Sequence, residues 1–300
     1  MTQAIIDAHQ HFYDPDRGDY PWLHTDSFAP VCRPFEPSDL KPELDLHRVD
    51  GTVLVQTWSS RRETAEFLVL ASTTPWVLGV VGWVDLTAAD VADQIAALRS
   101  GPGGEFLVGI RHQVHDEPDP DWLGRDDVGR GLAAVEAAGL VYDLLIRPVH
   151  LPVATEIAQR FEGLRLVIDH LAKPSIRDGD REGWTRAMAK IATQPNVYCK
   201  ASGLVTEADW QAWNPIELGS LVTDTIELFG AERVMFGSDW PVCLVAASFG
   251  EVASIVREAI GGCDDDVCEA VMGGSAVRCY GLRSTVTTDS ADEVRMESDA

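Results

Sequence analysis

The sequence predicts an α/β chain wound into a single (β/α)8 TIM barrel. Three observations carry that expectation. Eight short apolar runs alternate with helix-like windows, unusual polar residues stand where those runs stop, and no Gly-x-Gly-x-x-Gly turn follows the first run. The first suits a parallel sheet buried on both faces. The second suits a barrel whose reacting groups project from the C-terminal ends of its strands. The third removes the main support for an open nucleotide-binding sheet, so no nucleotide cofactor is expected.

The strand candidates, in order, are Ile5–His9, Gly51–Gln56, Val77–Val84, Leu107–Arg111, Leu140–Ile146, Arg165–Asp169, Asn196–Ala201 and Arg233–Gly237. Most are unbroken and rich in Val, Ile and Leu. Between them lie helical patterns at Arg61–Ser72, Ala88–Arg99, Asp126–Ala138, Pro152–Phe161, Gly183–Ala192 and Pro215–Phe229. Gly139, Gly163 and Gly230 stand where helices should end, each just before the next strand. Further helices are expected near Gly250–Ile260 and Asp264–Met272. The Pro- and Asp-rich stretch Phe12–Asp50 reads as a long loop over the barrel mouth. Residues 1–283 are expected to form the barrel, and the polar, acidic Ser284–Ala300 a disordered tail.

A chain of 300 residues with 45% hydrophobic content can fill one barrel core. No apolar run approaches the roughly 18–20 residues that cross a bilayer, so no membrane partner is expected. The start, Met1-Thr2-Gln3-Ala4, lacks the basic end and apolar stretch of a signal peptide, which points to the cytoplasm. The net charge is −24 and no basic stripe exists to neutralise phosphates, which argues against nucleic acid. Cys32, Cys199, Cys243, Cys263, Cys268 and Cys279 form neither a CxxC pair nor a zinc-site spacing, and read as reduced thiols.

The chemistry gathers at the strand ends. Strand one closes on Asp7-Ala8-His9-Gln10-His11, and residues two apart on a strand point the same way, so two imidazoles stand side by side. That spacing suits one divalent metal, and it also suits two hydrogen-bonded structural histidines. Strand six adds Asp169-His170, and strand eight ends in Gly237-Ser238-Asp239-Trp240-Pro241. Three imidazoles and a carboxylate at matched strand ends favour a site.

These residues resemble the amidohydrolase superfamily, and within it the amidohydrolase-related branch that holds sugar-acid lactonases. The resemblance rests on Asp7–Phe12, Gly109-Ile110-Arg111-His112, Val167–Pro174, Lys200–Leu204, Met235–Pro241 and Ser275–Leu282. It spans roughly residues 4–283. The family's binuclear members carry a bridging Lys on strand four and a His on strand five. Here those strands end in Arg111-His112 and Tyr142–Arg147, so two metals are not expected. The branch has members with one metal and members with none. The resemblance therefore implies at most one divalent ion, zinc first, on His9, His11, His170 and Asp239.

Hydrolysis needs a positioned water, a base and positive charge for the developing oxyanion. Asp239 is the expected base, returning its proton to the leaving alkoxide, with His170 beside it and His9 and His11 orienting or polarising water and carbonyl. Arg111, His112, Lys173 and Lys200 are the cations at or beyond strand ends, and are candidates to bind substrate oxygens. Asp143 faces inward if the strand register is as drawn. Trp58 and Trp240 are candidates to stack on a sugar ring, and Tyr13, Tyr20 and Trp22 to wall the mouth. His115, His150 and Arg147 read as lid or surface residues.

The activity implied is the opening of an aldonolactone of the L-fuconolactone or L-rhamnonolactone type. A 2-pyrone-4,6-dicarboxylate lactonase would need more arginines than Arg111 and Arg147, and a metal-dependent decarboxylase would need the absent strand-five His. A non-catalytic sugar-acid binder would not need a carboxylate aimed at water. The partner expected is a small-molecule sugar lactone; a homo-oligomer is compatible with the sequence and not read from it.

Overall fold

All eight apolar runs become strands. The computed structural model describes residues 4–177, 179 and 181–283. The strands are β1 (Ile6–Gln10), β2 (Gly51–Val55), β3 (Val77–Gly82), β4 (Leu107–His112), β5 (Val141–Leu144), β6 (Leu166–Ile168), β7 (Val197–Ala201) and β8 (Val234–Phe236). They pair in parallel in sequence order. His11 N donates to Trp240 O at 2.7 Å and Asp239 N to His9 O at 2.8 Å, which joins β8 back to β1. The chain is a (β/α)8 barrel, and closure leaves no open sheet edge.

Strand alternation sorts the core. Ile6, Val53, Val81, Val141, Val167 and Met235 fill the interior, and Ala276, Cys279 and Tyr280 pack against them. Outward residues such as Leu54, Val80, Ile110 and Leu144 pack with the helices. Those helices are α1 (Pro37–His47), α2 (Arg61–Thr73), α3 (Val91–Ser100), α4 (Asp126–Ala137), α5 (Leu151–Arg160) and α6 (Arg181–Ala192). They continue with α7 (Leu204–Glu207), α8 (Pro215–Phe229), α9 (Phe249–Ile260), α10 (Asp265–Glu269) and α11 (Ser275–Tyr280). Local chemistry starts several of them. Ser60 caps α2, Asn214 caps α8 ahead of Pro215, and Ser248 with Glu251 forms a capping box on α9.

One expectation is corrected. The stretch read as a loop, Phe12–Asp50, contains the eleven-residue α1. Its Pro37 at the first turn and the reciprocal Glu36/Asp39 box are helix-start signals hidden in a loop-like composition, and Leu40 and Leu44 bury its inner face. The helix expected near Asp264–Met272 is α10 followed by a π turn, Ala270–Gly274. The acidic tail at 284–300 lies outside the described residues. No described helix is long and apolar enough to cross a membrane.

Closure of the barrel rests on Asp7. Its Oδ1 accepts from Ser238 N at 2.8 Å and His9 N at 3.1 Å, and its Oδ2 from Ser238 Oγ at 2.6 Å. The carboxylate staples β1 to β8 immediately below the strand ends. Asp7→Ala leaves buried donors without a partner, and is expected to lower the stability to urea by about 3 kcal/mol. Asp7→Asn, which keeps one acceptor oxygen, should lose distinctly less.

Candidate active site

The register of β1 places the histidines. Asp7 pairs with Thr52 and Gln10 with Leu54, so β1 spends one residue more than β2 over this span. Such a bulge re-aims side chains. His9 and His11 both reach the barrel axis, with their Nε2 atoms 3.2 Å apart. Asp239 Oδ1 lies 3.4 Å from His11 Nε2 and 3.9 Å from both His9 Nε2 and His170 Nε2. All four side chains are nearly inaccessible to solvent.

His170 arrives by an unusual backbone. His170, Leu171, Ala172 and Lys173 have φ of 53°, 52°, 60° and 51°, a left-handed run that costs roughly 1–2 kcal/mol per residue. It is held by Trp184 Nε1 donating to Leu171 O at 2.7 Å and by Lys173 N donating to His170 O at 2.8 Å. Ser202 Oγ fixes His170 Nδ1 at 2.9 Å. Gly203, itself at φ 62°, leaves room for the ring: a Cβ there would sit 2.4 Å from His170 Nδ1. Asp239 is also left-handed, at φ 57°.

Burial pushes the His9 and His170 imidazoles well below their ordinary value and His11 below it, so all three are neutral near pH 7. Burial also opposes ionisation of Asp239, and the surrounding His170 and His11 rings and the Lys173 charge together hold the carboxyl below its ordinary value. His11 Nδ1 faces Val55 O at 2.8 Å, so it carries the proton and His11 Nε2 presents a lone pair to the centre. The His11 lone pair, the Asp239 carboxylate and the Nε2 edge of His9 thus converge. Their separations bracket the roughly 3.3 Å between neighbouring ligands of a tetrahedral zinc ion. Donor atoms of His9, His170 and Asp239 all lie within 4.8 Å of one another. The residues fit a single divalent cation.

A layer of charge lies against them. Arg111 Nη1 is 3.0 Å from Asp169 Oδ2 and 3.2 Å from His9 Nε2, and its Nε donates to Gln56 Oε1 at 3.0 Å. Lys200 Nζ meets Asp143 Oδ2 at 2.6 Å, Asp169 Oδ1 at 3.0 Å and His9 Nδ1 at 3.1 Å. Tyr280 OH donates to Asp143 at 2.9 Å. Lys200 and Asp143, offered by the sequence as substrate contacts, are fully buried here and engaged with each other. Arg111 is buried with them, at 2% exposure.

The remaining candidates stand in the walls. Lys173 pairs with Glu207 at 2.6 Å and is half-buried. His112 stacks on Trp122 at 4.2 Å, with Nδ1 accepting from Trp83 and Nε2 facing Glu117. Trp240 is buried edge-on against Phe12 and Phe35. Trp58, Tyr13 and Tyr20 line a cavity of 880 Å³ beside α2, whose walls do not include the four central residues. His150 is buried on Arg147 N, while Arg147 is exposed.

Three participants went unassigned in the sequence. Asp169 was visible as the last residue of its run, yet nothing local says that it meets two cations. Tyr280 follows the eighth strand, where no strand-end rule points. Glu63 sits in the first turn of α2 and accepts from Thr57 N, Thr57 Oγ1, Trp58 N and Tyr20 OH. It ties the loop after β1 to the end of β2.

The amidohydrolase family profile matches residues 6–282. The chain belongs to the amidohydrolase family. It is 38% identical over 293 residues to an L-fucono-1,5-lactonase of Burkholderia multivorans, covering 94% of this chain and 97% of that one. Crystal structures of an amidohydrolase from Burkholderia multivorans superpose on it at 36% identity, across 93% of this chain and all of theirs. The one with bound HEPES has a TM-score of 0.88 and the one with bound zinc 0.87.

Gly203→Ala should push His170 off its Ser202 contact and lower kcat/KM by about tenfold or more, with the circular dichroism spectrum unchanged. Glu63 yields a pH signature, because burial raises its carboxyl from 4.5 to about 7. The folded state then binds the proton more tightly than the unfolded one. The stability of the parent protein relative to Glu63→Gln should fall as pH rises from 4.5 to about 7 and be level outside that window.

Proposed function

We propose that this amidohydrolase opens a sugar-derived lactone, L-fucono-1,5-lactone or a related aldonolactone, to the sugar acid, in the cytoplasm. The observation that carries this reading is the 38% identity, spread over 94% of the chain, to an L-fucono-1,5-lactonase. The site supports it on chemical grounds. Lactone hydrolysis asks for one base, a polarised carbonyl and a route for the proton to the ring oxygen.

Asp239 is the carboxylate that, among the described residues, lies within 4 Å of all three imidazoles, so it takes the proton from the attacking water. The C–O bond to the ring oxygen then breaks, and the same carboxyl returns that proton to the alkoxide. His170, locked by Ser202, and His11, locked by Val55 O, orient the water and the lactone carbonyl. Arg111 and Lys200 lie within about 3 Å of His9 and Asp169 and set the positive potential beneath the developing oxyanion. Lys173, paired with Glu207, is the candidate to meet hydroxyls or the carboxylate of the product. A divalent ion, zinc in the first instance, would be held by His9, His11, His170 and Asp239. When bound it acidifies water and polarises a carbonyl.

A pH-indicator assay against aldonolactones tests the reading. The parent protein should release protons from L-fucono-1,5-lactone, and Asp239→Asn should lose kcat by about a thousandfold or more while keeping its fold. A parallel arm with a chelator followed by zinc decides the metal, and restoration by zinc is the expected result. Failure to open any aldonolactone, with or without zinc, would overturn the assignment.

A further inference from the structure

Two neighbours compete for His9 Nδ1. Asp169 Oδ1, an acceptor, stands 3.2 Å away, and Lys200 Nζ, a donor, stands 3.1 Å away. If the ring proton sits on Nδ1 facing Asp169, Nε2 is left as a lone pair turned to His11 and Asp239. If Lys200 donates to Nδ1 instead, the proton moves to Nε2 and blocks that face. Arg111 Nη1, a donor 3.2 Å from Nε2, favours the Nδ1–H form, and at Nδ1 itself the balance depends on where Lys200 spends its hydrogens.

The fold settles this from the floor of the barrel. Lys200 is fully buried, and its shortest contact is Asp143 Oδ2 at 2.6 Å, ahead of Asp169 Oδ1 at 3.0 Å. Asp143 is in turn anchored by Tyr280, whose hydroxyl reaches Oδ1 and Oδ2 at 2.9 Å each. The Tyr280 ring also lies 5.5 Å from Lys200 Nζ, within cation–π range. Tyr280 belongs to α11, which packs through Ala276, Cys279 and Tyr280 against the interior residues Val53, Val141 and Val167. A hydroxyl on the closing helix is therefore linked to a reacting-site imidazole through two buried side chains.

The geometry points to Tyr280, Asp143 and Lys200 as a positioning chain that commits the Lys200 protons to carboxylates and so, together with Arg111 at Nε2, holds His9 in the Nδ1–H form with a lone pair on Nε2. None of the three needs to touch substrate. The inference rests on the metal-binding part of the function proposed above, and not on the identity of the lactone. A carboxylate behind a ligating histidine is a general device for fixing its tautomer, and loss of such support typically costs 10–100-fold in metal affinity.

Two measurements that use no substrate test it on the full chain. Histidine 15N resonances of the metal-free protein, with His9 assigned by difference from His9→Gln, report its tautomer. Zinc affinity is read by competition with a chromogenic chelator. The parent protein should show His9 protonated at Nδ1. Asp143→Asn should shift it toward the Nε2–H form and weaken zinc by about tenfold or more, and the isosteric Tyr280→Phe should move both in the same direction by less. Cys279→Ala, which loosens the same floor without touching the chain, should leave both unchanged. Should Asp143→Asn not fold, Tyr280→Phe alone decides. The idea is overturned if Tyr280→Phe keeps the parent tautomer and zinc affinity, if Cys279→Ala shifts them equally, or if the parent binds no zinc. Absence of lactone hydrolysis would instead strike the substrate reading and leave these measurements standing.

Discussion

Asp169 is the constraint on which the site is built. It is a fully buried carboxylate, and an isolated anion there would be prohibitive. It is held ionised, well below its ordinary value: burial pushes it up, and Lys200, His9 and Arg111 together pull it down further. Arg111 comes from β4, Lys200 from β7, His9 from β1 and Asp169 from the end of β6. Four strands must therefore be in register at once for this charge to be tolerated. Removing any one partner leaves another charge uncompensated, which makes the network a specification of the barrel's geometry more than a reserve of stability.

The same network explains why the reacting groups can be so bare. His9, His11, His170 and Asp239 sit in a nearly dry pocket where three imidazoles are neutral and one carboxylate is charged. Each ring has an outer nitrogen engaged by a fixed partner: Val55 O for His11, Ser202 for His170, and the Asp169–Lys200 pair for His9. The inner nitrogens face one another and Asp239, with Arg111 Nη1 3.2 Å from that of His9. Preorganisation of this kind costs backbone strain, seen in the left-handed run at 170–173 and at Asp239, and it is offset by the anchoring bonds of Trp184 and Asp7.

Much of this was legible from the residues. Short apolar runs gave the strands, because β-branched stretches buried on both faces need no alternation. The polar residues that interrupt them gave the strand ends, so His9, His11, His170 and Asp239 were placed by position alone. The α1 helix was hidden because Pro and Asp serve both loops and helix starts. Lys200 was read as a strand-end cation and Asp143 as inward-facing if the register held, but depth along the axis is not written in a strand, and both lie beneath the pocket. The β1 bulge is likewise invisible, since it exists only relative to β2.

By itself, then, the sequence determined the fold class, the order of the strands and the four residues that meet at the barrel mouth. These follow from local periodicity and from the rule that strand ends carry function. Only the tertiary structure decided which nitrogen of each histidine faces inward, that Arg111 and Lys200 serve Asp169 and His9, and that Tyr280 reaches the site from the opposite end. Those are pairings between residues as many as 191 positions apart. Their energies depend on distance and burial, and no local pattern along the chain encodes either.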